Sequence, residues 1–250
     1  MASPLRRAAA VAALAGCALA ASPAPAHAVA GGAPADAARY PWLAAVGSPV
    51  FFLRPAGQFC GGVLIAPDQL LTAGHCVSIA KYVPGALTVT FGRSDLVERG
   101  GEQVGVRSVK VHPQYRETTF QDETVPHHDL AILTLDRKVA RPTVRLGSPA
   151  GAAAGTIAGW GTTSENDLLN TKLRDAAVPI RDTAACTAVY GDSYDPADMA
   201  CAGDGRTDSC TFDSGGPLLV NGRVAALVSW GLGCGRPGYP GVYTSVADLP

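Results

Sequence analysis

The sequence predicts an all-β protein, built as a β-sandwich or a β-barrel. Apolar residues recur with a period of two, or in short continuous runs, at 86–91, 104–111, 130–135 and 223–230. Such runs are typical of strands that bury one or both faces. Turn-forming residues separate these runs, and the chain is rich in them, with 29 Gly and 19 Pro. Short strands with frequent turns favour a sandwich or barrel over a parallel α/β sheet.

Residues 1–28 are predicted to be a secretory signal peptide. Arg6 and Arg7 precede an apolar run rich in Ala and Leu, and Ala26-His27-Ala28 has the small-residue pattern of a cleavage site. The apolar run is too short and too rich in Ala for a membrane span, so none is expected. Two alternatives stay open: the arginines as a twin-arginine signal, and Cys17 as the acylated residue of a lipid-anchored protein. We expect plain secretion, and the Ala-rich bias favours a bacterial source.

The exported chain is divided by one stretch of unusual composition. Pro, Ala and Gly dominate 142–155, so we place a boundary there, giving domains at 29–142 and 143–250. The only helix that the sequence predicts is short, with Asp182 as its N-cap and its end near Tyr190. The second domain is therefore also predicted to consist mainly of strands.

Charge and cysteine content narrow the function classes. Lys+Arg total 20 against 21 Asp+Glu, a balance that gives no reason to expect nucleic acid or an anionic membrane as partner. Apart from Cys17, the even number of cysteines in an exported chain predicts three disulfides, although spacing alone leaves their connectivity open. A metal site is disfavoured, since no Cys-x-x-Cys pair exists and His127-His128 lies far from any cysteine. We therefore expect no metal and no cofactor.

Three short motifs contain the groups that a serine hydrolase needs. Thr72-Ala-Gly-His75-Cys76 supplies an imidazole, His128-Asp129-Leu-Ala-Ile-Leu a carboxylate at the start of an apolar strand, and Asp213-Ser214-Gly-Gly-Pro a hydroxyl on a tight turn. Hydrolysis by serine requires such a nucleophile, a base and a group that orients the base. Taken singly, each has a structural explanation, as a surface histidine, a turn aspartate and a loop serine.

Taken together, the motifs resemble the trypsin/chymotrypsin family of serine proteases. Besides the three motifs above, Gly159-Trp-Gly161, Ser229-Trp230-Gly231 and Gly241-Val-Tyr-Thr244 occur in the family's order over essentially the whole exported chain. The resemblance implies two antiparallel six-stranded β-barrels with the active site in the cleft between them. His75 and Asp129 would come from the first barrel and Ser214 from the second.

The resemblance also implies roles for the remaining conspicuous residues. His75 would act as general base and then general acid, Asp129 would fix its tautomer, and Ser214 would attack the scissile carbonyl. Asp208 would form the floor of the primary pocket, and the substrate-binding residues around it would be Ser229, Trp230, Gly231 and Gly241. The implied disulfides are Cys60–Cys76, Cys186–Cys201 and Cys210–Cys234.

A buried carboxylate at Asp208 predicts specificity for a cation. An unpaired buried charge is costly, and an Arg or Lys side chain of the substrate relieves that cost. The alternative is that Asp208 is a solvated loop residue. We predict a secreted endopeptidase that cleaves polypeptides after Arg or Lys, acts as a monomer, and has protein protease inhibitors as further partners.

The family also implies an activation step at the new N-terminus. The α-amino group of Val29 would pair with the carboxylate of Asp213 and so order the oxyanion hole and the pocket. Family members usually lose a propeptide first, but here the residue before Val29 is Ala28, the last residue of the predicted signal peptide. We therefore predict that signal peptidase itself creates the activating amine.

Several positions depart from the family pattern. Gly74 stands where Ala is usual, and Arg93 stands where a calcium ligand is expected, so we predict no calcium site there. The chain stops at Pro250, where family members continue into a C-terminal helix; either the helix is missing or the sequence is truncated.

The most consequential departure is Phe212, where the family has glycine. The oxyanion hole would consist of the backbone N–H groups of Phe212 and Ser214. If the position needs a glycine-like backbone, a flip of the peptide would turn one donor away, at a cost of about 10²–10³ in rate. If the backbone is tolerated, the ring stands on the leaving-group side near Cys60 and Cys76. The alternative functions are thus a catalytically impaired binding module and, less favoured, a serine esterase.

Overall fold

The computed structural model describes residues 29–165, 167, 169–247 and 249–250. The predicted signal peptide, with Arg6, Arg7 and Cys17, lies outside the described residues. The strands are β1 (Ala33–Pro34), β2 (Leu43–Gly47), β3 (Gln58–Ala66), β4 (Gln69–Thr72), β5 (Thr88–Phe91), β6 (Glu102–Val111), β7 (Arg116–Phe120), β8 (Glu123–His127), β9 (Ala131–Leu135), β10 (Ala154–Gly159), β11 (Arg174–Pro179), β12 (Met199–Ala202), β13 (Pro217–Val220), β14 (Arg223–Trp230) and β15 (Gly241–Ser245). The α-helices are α1 (Gly74–Val77) and α2 (Thr183–Tyr190), and short 3-10 turns connect several strands.

The first half of the chain forms a closed antiparallel barrel. Its strand order is β2-β3-β4-β9-β6-β5. Strand β9 alternates buried and partly exposed residues, as a half-buried strand should. Leu64, Leu70, Phe91 and Leu133 fill the interior. The predicted strands at 104–111 and 130–135 are confirmed by β6 and β9; β5 begins only at Thr88, because residues 84–86 form a 3-10 turn that starts with a proline.

The second half forms the other sheet, in the order β1-β11-β10-β13-β14-β15-β12. An isolated bridge between Ile180 and Ala202 joins the end of β11 to β12 and draws the two sides of this sheet together. The prediction of an all-β fold with two antiparallel barrels is confirmed. Strand β14 occupies the predicted range, and α2 begins after its predicted cap, since Asp182 Oδ1 accepts a hydrogen bond from Ala185 N–H at 2.7 Å.

A shared core joins the two halves and positions the cleft. Leu43, Val63 and Leu71 from the first barrel pack in one cluster with Trp160 and Leu227 from the second. The boundary at residues 142/143 stays a prediction. No helix among the described residues is long and apolar enough to cross a membrane.

A separate hairpin, β7–β8, lies outside both sheets at one side of the cleft. Phe120, at its tip, packs against Tyr190 and Trp230, with ring centroids 5.4 and 6.2 Å away. Asp122 and Glu123 of the hairpin line the same cavity as Ser214. The three disulfides join Cys60 to Cys76, Cys186 to Cys201 and Cys210 to Cys234, which are the pairs that the resemblance implies.

Candidate active site

His75 and Asp129 form a tightly hydrogen-bonded pair. His75 lies in α1 directly after β4, and Asp129 lies just before the adjacent strand β9. The His75 Nδ1 to Asp129 Oδ2 distance is 2.7 Å, and the His75 backbone N–H donates to Asp129 Oδ1 at 2.7 Å. Ser229 Oγ also donates to Asp129 Oδ2, at 2.6 Å. The Asp129 carboxylate can accept about four hydrogen bonds, and three of these are made here.

Charge and burial act in opposite directions on this pair. Burial favours the neutral forms, but the attraction between the two groups outweighs it, so the pKa of His75 lies above and that of Asp129 below its ordinary value. Asp129 is completely buried. An ionised Asp129 is therefore available to stabilise a protonated imidazole.

The structure offers a steric reason for glycine rather than alanine at position 74, which the sequence did not reveal. A Cβ at this position would lie 3.0 Å from Tyr115 Cδ2 and 3.2 Å from Asp129 Oδ1. Tyr115, whose hydroxyl donates to Glu117, thus packs where an alanine methyl group would be tight. An alanine at position 74 would therefore require Tyr115 or Asp129 to shift by a few tenths of an ångström.

Ser214 lies on the tight turn that its glycines predict. Gly216 N–H donates to Asp213 O at 2.8 Å, and Gly215 has a φ of 77°, a conformation that favours glycine. Strand β3 reaches this turn, because Gly61 N–H donates to Ser214 O at 2.7 Å. Ser214 and His75 line one cavity of about 510 Å³. No hydrogen bond between described residues joins the two side chains, and in ligand-free enzymes such bonds often tighten only with substrate.

Phe212 has a glycine-like backbone. Its φ is 76°. It is the third residue of a turn closed by Asp213 N–H donating to Cys210 O at 3.0 Å, and a positive φ at this place is typical of a type II turn. The strain of such a conformation in a non-glycine residue is about 1–2 kcal/mol. Thr162 N–H donates to Thr211 O at 2.9 Å, so the N–H of the same peptide, that of Phe212, points away from Thr162.

Two further side chains hold Phe212 in this conformation. Gln58 Nε2 donates to Phe212 O at 2.8 Å, across 154 residues of sequence. Arg54 donates twice to Gln58 Oε1, at 2.9 and 2.7 Å, and its guanidinium carbon lies 4.1 Å from the centroid of the Phe212 ring. Arg54 also donates to the carbonyl oxygens of Trp160 and Asn170. The ring therefore packs against a guanidinium group that donates four hydrogen bonds to three acceptor atoms.

Asp208 lines the cavity that contains Ser214. It is 2% exposed, which contradicts a solvated loop position. Burial raises its pKa to about 7, although the N–H groups of Ser209 and Gly235 donate to its carboxylate at 2.8 and 3.1 Å. A Cβ on Gly241 would lie 2.4 Å from Asp208 Oδ1, so a side chain there would block access to the carboxylate. Ser229, Trp230 and Gly231 line the same cavity.

Asp213 is a second buried carboxylate close by. Cys210 N–H and Gly161 N–H donate to it at 3.0 and 2.8 Å, and burial raises its pKa to about 7. Val29 is 1% exposed in the core of the second sheet. Its neighbour Ala30 accepts a hydrogen bond from Asp208 N–H at 3.1 Å. The first described residues thus enter the protein near the pocket, although no hydrogen bond or ion pair joins Val29 and Asp213 among the described residues.

The family model described as Trypsin matches residues 29–249. The chain belongs to the trypsin family. A trypsin of Saccharopolyspora erythraea is 37% identical over 225 residues, covering 87% of this chain and 93% of that protein. Trypsin alpha-4 of Lucilia cuprina is 33% identical and covers 88% and 84%. The structure of neuropsin, a serine protease expressed in the limbic system of mouse brain, superposes with a TM-score of 0.74 at 30% identity, covering 86% and 93%.

As a member of the trypsin family, the chain is a serine endopeptidase, a hydrolase. The trypsin-family motifs come together as the sequence predicted: His75, Asp129, Ser214 and Asp208 surround or adjoin one cavity. Sequence reasoning missed Arg54, Gln58 and Tyr115, which belong to no family motif quoted above. The only signals for them were the two unusual residues that they contact, Phe212 and Gly74.

Proposed function

We propose that this trypsin-family enzyme is exported and cleaves polypeptides after Arg or Lys through an acyl-enzyme intermediate. The observation that supports it best is the buried carboxylate of Asp208 in the lining of the cavity that contains Ser214. A long cationic side chain placed there would bring its own carbonyl group to Ser214. The Asp208–cation pair would form away from water, where it selects strongly against neutral side chains.

Catalysis then follows the geometry of the pair. Ser214 Oγ attacks the carbonyl carbon while His75 Nε2 takes its proton, and Asp129 holds the opposite ring nitrogen and stabilises the imidazolium. Collapse of the tetrahedral intermediate breaks the C–N bond, and His75 donates the proton to the leaving amine. Water repeats the two steps on the acyl-enzyme, which releases the acid and restores Ser214.

The oxyanion hole in this proposal comprises the N–H groups of Phe212 and Ser214. It is supported by the positive φ of Phe212, which is the conformation that glycine would adopt, and by the bonds that hold the peptides on either side of this residue. The binding-module alternative depended on a flipped peptide, and these bonds disfavour it. The strain at Phe212 makes the hole dependent on Gln58.

We expect Gln58→Ala to lower kcat by up to about 10²–10³, the cost of one oxyanion donor. Without Gln58, relaxation of the turn relieves the strain at Phe212 and turns its N–H away. Phe212→Gly in the Gln58→Ala background restores much of kcat, since glycine adopts a positive φ without strain. kcat for an Arg anilide is measured, and exposed Gln114→Ala is the matched control. An unchanged kcat in Gln58→Ala would refute this role.

Activation by the α-amino group of Val29 is the second part of the proposal. Asp213 is a buried carboxylate whose ionised form needs a cation, and the chain at Val29 enters the core nearby. N-terminal sequencing of the exported protein is expected to give Val29. A start upstream of Val29 would contradict activation by signal peptidase.

pH dependence of stability separates the processed and extended forms. With residues still attached before Val29, Asp213 has a folded-state pKa of about 7, well above its unfolded value. The folded state then holds a proton that the unfolded state has lost, so stability falls as the pH rises from about 4 to about 7, by up to about 4 kcal/mol. A paired amine keeps Asp213 ionised and abolishes this loss.

Urea unfolding at pH 5 and pH 8 measures the difference, using Ser214→Ala proteins that either begin at Val29 or carry a short extension. Asp208 also has a raised pKa, but it is common to both forms, so their difference isolates Asp213. Asp213→Asn is expected to make the two forms alike. Parallel pH profiles in the two Asp213 proteins would contradict the ion pair.

A further inference from the structure

A second cluster of chemically reactive side chains lies outside the cleft. It consists of His127 at the end of β8, and Asp195 and Asp198 between α2 and β12. One ligand atom from each lies within 4.8 Å of the others. His127 and Asp198 are only 4% and 5% exposed, and Asp195 is partly exposed. None of the three has a role in the proposed reaction.

Two buried atoms of this cluster have no hydrogen-bond partner among the described residues: His127 Nδ1 and Asp198 Oδ1. His127 Nδ1 faces Asp198 Oδ2 at 3.9 Å, which is too long for a hydrogen bond. Leaving such groups unpaired inside a protein is costly, and each instance calls for an explanation. A positive ion among the three side chains would satisfy both atoms.

The other atoms of the cluster are already held in place. His127 Nε2 lies 3.1 Å from Thr118 Oγ1, which fits donation by Nε2–H and leaves the Nδ1 lone pair free to bind. His128 N–H donates to Asp198 Oδ2 at 2.6 Å, and Ala197 N–H donates to Asp195 Oδ1 at 2.9 Å. Each carboxylate therefore keeps an oxygen that is not engaged by the backbone. Metal-binding histidines characteristically donate their second ring N–H in this way.

The donor set indicates which ion would bind. An imidazole with two carboxylates suits Zn²⁺ and related transition-metal ions, whereas calcium and magnesium prefer oxygen ligands alone. Tetrahedral coordination at Zn–N and Zn–O distances of about 2.1 Å places ligand atoms about 3.4 Å apart. The unpaired oxygen of Asp198 is Oδ1, and the ligand atoms of the three residues lie within 4.8 Å of one another, so they would have to draw together from at most 4.8 Å to about 3.4 Å. Arg116, opposite His127 in the β7–β8 ladder, is a competing positive charge.

We propose that His127, Asp195 and Asp198 bind one divalent transition-metal ion of the Zn²⁺ type, with a water molecule as an additional ligand. The sequence predicted no metal because it offers no clustered ligand motif; Asp198 and the His128 N–H that it binds are 70 residues apart. The fold alone brings the ligands together.

The site would link the two halves of the enzyme. His127 is the last residue of β8 in the hairpin and lies two residues before Asp129. Asp198 belongs to the second half, where its carbonyl oxygen accepts a bond from Ser245 N–H at 2.8 Å. A bound ion would therefore restrain the segment that presents Asp129, and its main effect would be on the stability of the fold.

Calorimetric titration with ZnCl₂ tests the proposal, using Ser214→Ala protein to prevent self-digestion. We expect one equivalent to bind, and Co²⁺ to give the visible absorption of a site with nitrogen and oxygen ligands. Zn²⁺ at about a hundred times its Kd raises Tm by roughly 5–10 °C. His127→Gln and Asp195→Asn are each expected to weaken binding at least tenfold, as loss of a ligand does. Exposed Asp192→Asn, nearby, is the matched control and leaves binding unchanged.

Absence of saturable Zn²⁺ binding would overturn the proposal. So would equal affinity in Asp195→Asn and the parent protein. Asp195 is partly exposed, so Asp195→Asn keeps the proposal testable even where His127→Gln does not fold. An equivalent of Zn²⁺ that survives Asp195→Asn and disappears with His75→Ala would place the metal in the cleft instead, and would equally refute the proposed site.

Discussion

Ser214→Ala is expected to lower kcat for an Arg peptide amide by about 10⁶-fold, the effect of removing the nucleophile from a working triad. The hydroxyl is the group that forms the acyl-enzyme, and neither the His75–Asp129 pair nor the pocket can replace it. His75→Ala is expected to cost about as much, and the double variant no more than either single one, because the two residues act as one unit. Steady-state hydrolysis of Arg, Lys and Phe anilides gives these values.

Titration with a reagent that acylates active-site serines measures the same property independently of substrate. We expect one equivalent of label in the wild-type enzyme and none in Ser214→Ala. Ser193→Ala, in a surface turn of the second half, is the matched control and retains both label and activity. Wild-type protein that takes up no label would leave only the binding-module alternative. Turnover of esters without turnover of amides would favour the esterase instead.

Asp208→Asn is expected to lower kcat/KM for Arg and Lys substrates by about 10²–10⁴, because breaking a buried charge pair costs about 3–5 kcal/mol. Turnover of a Phe substrate should stay equal or rise, since the variant no longer buries a charge beneath an apolar ring. Exposed Asp204→Asn, in the same loop, is the control and should preserve the preference for Arg. A wild-type enzyme that prefers Phe would refute the role of Asp208.

The pH profile of kcat/KM gives a second test of the same carboxylate. Burial raises the pKa of Asp208 to about 7 in the free enzyme, and only its ionised form attracts a cation. kcat/KM for Arg substrates should therefore fall as the pH drops below about 7, more steeply than for Phe substrates, which report only His75. Asp208→Asn should remove that difference in steepness. Identical profiles for the two substrates in wild-type enzyme would contradict ion pairing at this site.

Much of the fold was predictable because buried strands have a simple pattern. Strand β14 and helix α2 occupy the ranges that their apolar residues and the Asp182 cap predict. The hairpin β7–β8 was not predictable in the same way, since most of its residues are exposed and polar and show no alternation. Its Phe120 and Val125 pack in one cluster with Tyr190 and Trp230, which are far away in the sequence.

The residues of the candidate active site were predictable from the sequence, but the side chains that pack around them were not. The motifs around His75, Asp129 and Ser214 identified the residues that meet in the cleft, because each motif includes the local turn that presents its side chain. Phe212 is contacted instead by Gln58 and Arg54, which lie in another part of the chain. Local sequence contains no information about such a contact, so the prediction could only state both outcomes.

The contacts of Phe212 have a consequence for how variants of this fold are sorted by sequence. A search that demands glycine before Asp-Ser-Gly-Gly-Pro would discard this chain as inactive, although its backbone has the glycine-like φ at that position. In this chain the glycine-like φ of Phe212 is accompanied by a hydrogen bond from Gln58 on β3 to the Phe212 carbonyl oxygen. Exchange of glycine for a larger residue at this position should therefore be judged together with Arg54 and Gln58, the two side chains that contact Phe212.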